Sequence, residues 1–307
     1  MSSSDTIKKA VANEYTVTAD VTLYARWTHT LALDANGGTA TGTTSLTVKQ
    51  ADPILTLPTA SDAGLTRSGY TFVCWNTETD GSGQSYCAGE SKYVRASFWG
   101  TKRLYAMWVQ GTGDTMKVAT AKNIESVLKN INNGDTFVYA DAFPSASNTS
   151  FNLPTLFKTY LSDESKLITL NLEYASFWMP QNRVSSTGIE SNESQADRLK
   201  NYFNGCKSIR TLIININSMS EYMFSNCTSL TNVSLGKEVA GNYGSIYKGV
   251  FLGCTALTSV SFSDTTGWYT TSDASTTIDV SNASINATNL KSSDGSWASE
   301  VLRKKSS

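Results

Sequence analysis

Three segments of the chain carry a cysteine in one frame: YFNGCKSIRTLII at 202–214, MFSNCTSLTNVSL at 223–235 and VFLGCTALTSVSF at 250–262. A cysteine can act as a nucleophile, ligate a metal or pair in a disulfide, and each use needs a partner at a suitable spacing. A metal site calls for Cys-x-x-Cys or nearby histidines, and Cys206, Cys227 and Cys254 have neither. A disulfide between stacked copies joins only two of the three and leaves an odd thiol. A small buried hydrophobe is the use that suits a residue recurring at one place in a repeated frame.

Other chemistry is thinly supplied. The sole histidine, His29, sits in WTHT, read as a link between two β modules, where it has no fixed partner to act as a base. Ser-His-Asp and Cys-His arrangements both need it. Paired carboxylates could cleave glycosidic bonds, but the acidic residues are scattered over loops. Asp80-Gly81-Ser82-Gly83 lacks the further oxygen ligands and distal Glu of a calcium loop and is read as a turn. Gly111-x-Gly113 in QGTGDT is too little for a phosphate loop. No catalytic, cofactor-binding or metal-ligating residue is expected, and no cofactor.

Composition narrows the classes further. The formal net charge of the 307 residues is −1, so no global field draws in nucleic acid. No apolar run approaches the roughly 18 residues of a membrane helix. The start, MSSSDTIKKAVANEY, has two lysines with no apolar stretch behind them and does not read as a secretory signal. By itself that favours the cytoplasm; the alternative is a truncated or mis-started piece of a secreted protein.

The elements around the cysteines explain them. Each segment reads aromatic, two small or polar residues, Cys, two residues, an aliphatic, then an alternating strand. Phe203, Phe224 and Phe251 open the units. The inward sets are Ile209/Leu212/Ile214, Leu230/Val233/Leu235 and Leu257/Val260/Phe262. Such units cannot bury an apolar face alone, so they stack as a solenoid with a shared core. The outward positions are Arg210, Thr211 and Ile213, then Thr231, Asn232 and Ser234, then Thr258, Ser259 and Ser261. They form a hydroxyl- and amide-rich ladder that serves either as a binding face or as ordinary solvated strand surface.

A second repeat lies nearer the N-terminus. VTLYARW at 21–27 and KRLYAMW at 102–108 share LYA-x-W, with Leu23, Ala25 and Trp27 on one strand face. Between the copies run DANGGT at 34–39, LTVK at 46–49, LTLP at 55–58, GYTFVCWNT at 69–77 and DGSG at 80–83. Asn36-Gly37-Gly38 and Asp80–Gly83 are turn signals.

These motifs together resemble the internalin B-type, or Listeria–Bacteroides, repeat of bacterial surface proteins. That resemblance implies a β-grasp-like module. The F-x-x-C-x-x-L-x-x-V-x-L frame resembles the BspA-like leucine-rich repeat. It marks Phe203, Cys206, Leu212, Phe224, Cys227, Leu230, Val233, Phe251, Cys254, Leu257 and Val260 as structural positions.

The flanks supply two helices, over 119–134 and 152–164, and strands at 135–143 and 166–172. This block is expected to cover the open end of the stack. Tyr174, Phe177, Trp178 and Met179 serve either as cap packing or as a partner patch. Short strands around Ile278–Val280, with Trp268, Tyr269, Trp297 and Val301, are expected to close the other end. The expected class is α+β. The divisions are a partial B-type repeat at 1–28, a complete one at 29–110, a linker and α/β cap at 111–200, leucine-rich repeats at 201–265, and a C-terminal cap and tail at 266–307.

Both resemblances imply a non-enzymatic cell-surface or extracellular protein, an adhesin with a protein or glycoprotein ligand on host or neighbouring cells. The alternatives are an intracellular or remnant scaffold and, last, a carboxylate-dependent hydrolase.

Overall fold

The computed structural model describes residues 28–49, 54–89, 91–93, 100–141, 152–175, 199–216, 218–238 and 245–304. The first LYA-x-W copy and residues 177–179 lie outside these. The described chain is strand-rich with three short helices, an α+β composition.

Residues 28–110 carry β1 (Thr28–Asp34), β2 (Thr39–Ala40), β3 (Ser45–Lys49), β4 (Ile54–Thr56), β5 (Leu65–Thr66), β6 (Tyr70–Asn76), β7 (Ser85–Tyr86), β8 (Ser91–Tyr93) and β9 (Arg103–Gln110). The main sheet has the order β3-β1-β9-β6-β7, with β1 and β9 parallel and the other neighbours antiparallel. Alternation along β9 sends Leu104, Ala106 and Trp108 to one face, where Leu31, Leu33, Val48 and Trp75 complete a core. Met107 and Val109 go to the other face. A bulge between Phe72 and Cys74 shifts the β6 register, so Val73 and Cys74 both join that second face.

Residues 116–262 build a second sheet from β10 (Met116–Ala119), β11 (Thr136–Tyr139), β12 (Ile168–Asn171), β13 (Ile209–Ile216), β15 (Asn232–Glu238) and β17 (Ser259–Phe262). All neighbours are parallel and follow chain order. One file of the register runs Phe137, Leu170, Leu212, Val233 and Val260, all in one core. The helices α1 (Ile124–Lys129) and α2 (Leu153–Leu161) pack on the same side through Ile124, Leu128, Leu153, Phe157 and Leu161. Asn152 caps α2, its Oδ1 accepting from Thr155 N at 3.1 Å. The first helix is shorter than 119–134. Asn123 takes the N-cap position, and Asn130 ends the helix.

Smaller strands β14 (Ser218–Met219), β16 (Ser245–Ile246), β18 (Trp268–Thr270) and β19 (Leu302–Lys304) form a separate sheet in the order β14-β16-β19-β18. No strand forms at 278–280. The chain makes α3 (Ala283–Lys291) just beyond, from ASINATNLK, whose Ser, Asn and Thr are weak helix formers. Two external supports hold it. Asn282 caps it through Ser284 N and Ile285 N, and Asn286, Ala287 and Leu290 are buried.

Candidate functional site

The frame of the three cysteines is built from turns with a repeated dihedral pattern. Two positions per unit have positive φ: Asn201 and Gly205, Tyr222 and Asn226, Gly249 and Gly253. Each pair brackets the aromatic, two residues before Phe and two after it. Glycine and asparagine tolerate this left-handed backbone best, which explains the small residue ahead of each cysteine.

Turn amides bridge successive units. Phe203 N donates to Met223 O, Gly205 N to Ser225 O, Phe224 N to Val250 O and Asn226 N to Leu252 O. At the last unit Gly249 N donates to Ala298 O and Gly253 N to Lys291 O, so the C-terminal segment takes the place of a further turn. Asn286 Nδ2 also donates to Val260 O at 2.9 Å and Val280 O at 2.8 Å.

Side chains stack in the same register. Phe203 and Phe224 lie 4.9 Å apart and 4° from parallel, and Phe224 and Phe251 follow at 6.0 Å. Phe157 of α2 extends the file, 4.6 Å from Phe203. Cys206, Cys227 and Cys254 are wholly buried thiols. Cys227 Sγ donates to Phe203 O at 3.2 Å and Cys254 Sγ to Phe224 O at 3.1 Å. The adjoining Cys254 thiol and burial hold the Cys227 thiol well above its ordinary range, and burial pushes Cys206 up to about 12. A thiolate is the nucleophile and metal ligand, so this environment opposes both uses. Leu212, Leu230, Val233, Phe251, Leu257 and Val260 complete the buried set.

The opposite face of the sheet brings the outward residues together in three files. Thr211, Asn232 and Ser259 are register partners across β13, β15 and β17, as are Ile213, Ser234 and Ser261. Arg210, Thr231 and Thr258 precede them; Thr231 N donates to Arg210 O and Thr258 N to Thr231 O. Arg210, Asn232, Ser234, Thr258 and Ser261 are exposed, and the other four are half-buried.

Several hydroxyl protons are committed to neighbouring backbone. Thr231 Oγ1 donates to Arg210 O, Thr258 Oγ1 to Thr231 O and Ser261 Oγ to Val233 O, at 3.0 to 3.2 Å. Thr231 Oγ1 also accepts from Asn232 Nδ2 at 2.8 Å, so the lone pairs left for a partner are chiefly those of Thr258 and Ser261, while Arg210 brings fixed positive charge.

The same outward face changes character toward β10. Val118, Val138 and Asn171 continue the file of Ile213. Val138, Ala140 and Tyr174 pack there against Val73, Cys74, Met107 and Val109 of the first sheet, with Met116 and Val118 beside them. The first sheet thus rests on one end of the outward face. Tyr174 belongs to this junction, its hydroxyl 3.4 Å from Trp108 O. Polar residues line its edge, a feature the alternating pattern did not reveal. Asn171 Oδ1 accepts from Glu173 N at 2.9 Å, and Asn215 Nδ2 donates to Glu173 O at 2.8 Å. Burial raises the Glu173 carboxyl above its usual range. Gly236 lies under Asn215, where a Cβ would come within 2.1 Å of Asn215 Oδ1.

The remaining chemical candidates fall into structural places. His29 is part of β1, not a link between modules, and its Nε2 is 3.2 Å from Thr101 O. Asp80 Oδ1 accepts from Ser82 N and Ser82 Oγ, which makes 80–83 a side-chain-closed turn. Among the described residues, no group of three or more His, Cys, Asp or Glu could hold a metal ion. No described helix is long and apolar enough to cross a membrane.

Neither a curated protein nor a solved structure matches the chain. Two family models do, and neither is of a catalytic domain. The match to the Listeria-Bacteroides repeat domain covers most of the first sheet and stops within β9, and the stacked units fall within the match to the BspA type leucine rich repeat region, found in six copies. The chain therefore carries a Listeria-Bacteroides repeat domain at residues 29–106 followed by a BspA type leucine rich repeat region at residues 181–272.

Proposed function

We propose that this is a non-enzymatic bacterial cell-surface protein that binds a protein or glycoprotein of a host or neighbouring cell. The binding face is the outward side of β13, β15 and β17. The single observation that carries this is the register that aligns Arg210, Thr211, Ile213, Thr231, Asn232, Ser234, Thr258, Ser259 and Ser261 in three files. Contact is multipoint and individually weak, and many copies at a surface strengthen it. The partner is donor-rich, because the hydroxyls present lone pairs, and it offers an acceptor to Arg210.

In this reading β10 to β17 form a short solenoid. Residues 111–200 supply its N-terminal strands and helices, 201–265 its repeats, and 266–307 its closing cap. The 29–110 module supports the recognition face at one end as well as spacing it from the cell.

Solid-phase binding of the purified chain to matrix and cell-surface glycoproteins tests the face. Arg210→Glu combined with Asn232→Ala is expected to lower binding of any captured ligand at least about tenfold, the effect of losing 1.4 kcal/mol. Lys129→Ala, on α1, leaves it unchanged. Equal binding by both variants would reduce the face to a solvated surface and favour the scaffold alternative.

A further inference from the structure

We propose that Cys74 and Cys87 are the two halves of a cross-strand disulfide, which the chain forms when it folds in an oxidising environment. The antiparallel ladder of β6 and β7 pairs Asn76 with Ser85 and Trp75 with Tyr86. The ladder ends there, at the last residue of β7, and the same register carried one step past it would set Cys74 opposite Cys87.

The hydrogen-bond pattern fixes what kind of pair this is. Thr77 N donates to Gln84 O at 3.2 Å, which makes Thr77/Gln84 a hydrogen-bonded pair. Pairs alternate along an antiparallel ladder, so Asn76/Ser85 is non-bonded, Trp75/Tyr86 bonded and Cys74/Cys87 non-bonded. Non-bonded pairs hold their Cα atoms about 4.5 Å apart with side chains close, within the roughly 4.4–6.8 Å that a disulfide spans. The other non-bonded pair already makes cross-strand contact: Asn76 Nδ2 donates to Ser85 Oγ at 3.0 Å.

Faces agree as well as spacing. Trp75 and Tyr86 enter the module core, while Cys74 lies in the junction cluster behind it. Cys87 Sγ is 2.9 Å from Ala140 O, on that same side. Closing the disulfide needs the two sulfurs to turn toward each other, and Cys87 then gives up its donation to Ala140 O. Cys227 and Cys254 are the competing pair. Their thiols adjoin across successive parallel units, and they donate to Phe203 O and Phe224 O as Cys87 does to Ala140 O, so the test has to read both linkages.

The oxidant is a small disulfide such as oxidised glutathione. One cysteine thiolate attacks its sulfur and expels a glutathione thiolate. The second cysteine attacks the resulting mixed disulfide and expels the other glutathione. Two thiol protons end on the two glutathiones or in solvent, and the two electrons reduce the small disulfide. In the finished fold both sulfurs are buried and burial pushes the Cys74 thiol up to about 12. Exchange therefore belongs to the folding chain, before the junction closes.

The test refolds the reduced, denatured full-length chain in a glutathione redox buffer, then blocks remaining thiols with iodoacetamide in denaturant. Cleavage at Asp80 or Glu78 separates Cys74 from Cys87. The expected result is two peptides joined only by Cys74–Cys87, with Cys206, Cys227 and Cys254 alkylated. Reductant should also lower the melting temperature of this material by several degrees and leave the Cys74→Ser, Cys87→Ser double variant unchanged. Alkylation of all five cysteines in natively refolded chain overturns the proposal, as does a linkage at Cys227–Cys254.

Discussion

The Cys227 thiol donates to the backbone carbonyl of Phe203, one repeat earlier, and Cys254 repeats the contact to Phe224. The cysteine thus fills space in its own unit and satisfies a buried carbonyl in the previous one. Deleting the sulfur removes both. Cys227→Ala is expected to cost about 1–3 kcal/mol, from a lost hydrogen bond and a small cavity. Cys227→Ser keeps a donor but adds polarity to an apolar stack, and should cost a similar amount. Urea denaturation measures both. In reduced native protein a polar aromatic disulfide reagent should leave Cys206, Cys227 and Cys254 untouched until the chain unfolds. Fast labelling of native Cys227 would contradict the structural role.

The frame F-x-x-C was enough to place these cysteines, because a repeated spacing reports a repeated environment. The outward ladder was legible for the same reason: a period of two assigns faces once a strand is recognised. Other features carry no local signal. Helix α3 was invisible because its residues favour turns, and only the cap at Asn282 and the burial of Asn286 select the helix. The β6 bulge turns Val73 to the same face as Cys74, which strict alternation cannot foresee. The packing of Val138 and Tyr174 against Met107 joins residues far apart in sequence, and no pattern within either segment encodes it. His29 lies in a strand that begins at Thr28, ahead of the motif that identifies the module, so that motif does not place it.

Stability should weaken in acid through a contact near the C-terminus. The Lys304 ammonium and the backbone and hydroxyl of Thr266 hold the Asp264 carboxyl down at about 2, against an ordinary 3.8. An acid whose folded pKa is depressed stabilises the fold fully above its unfolded value, and that contribution is lost as pH falls through the folded value. The loss therefore runs from about pH 4 to about pH 2. The pair is partly exposed, so the effect is modest and shrinks with added salt. Melting curves at successive pH values should show a shallower acid decline for Asp264→Asn than for the parent. An identical decline would remove this pair from the account.

Gly236 and Asn215 offer the sharpest check on the outward face. The Asn215 amide lies over Gly236 while its Nδ2 donates to Glu173 O at 2.8 Å, beside the junction with the first sheet. A methyl group at position 236 would meet Asn215 Oδ1 at 2.1 Å, well inside contact distance. Either the amide moves and abandons Glu173 O, or the β13–β15 ladder gives way. Gly236→Ala should therefore destabilise by about 1–3 kcal/mol, although alanine suits a strand better than glycine does. Asn215→Ala should cost about 1 kcal/mol through its lost bond. With the amide already gone, the added methyl has room, so the double variant should be more stable than the sum of the single effects by about 1 kcal/mol or more. Additive costs in denaturant titrations would mean that the two residues do not share this contact.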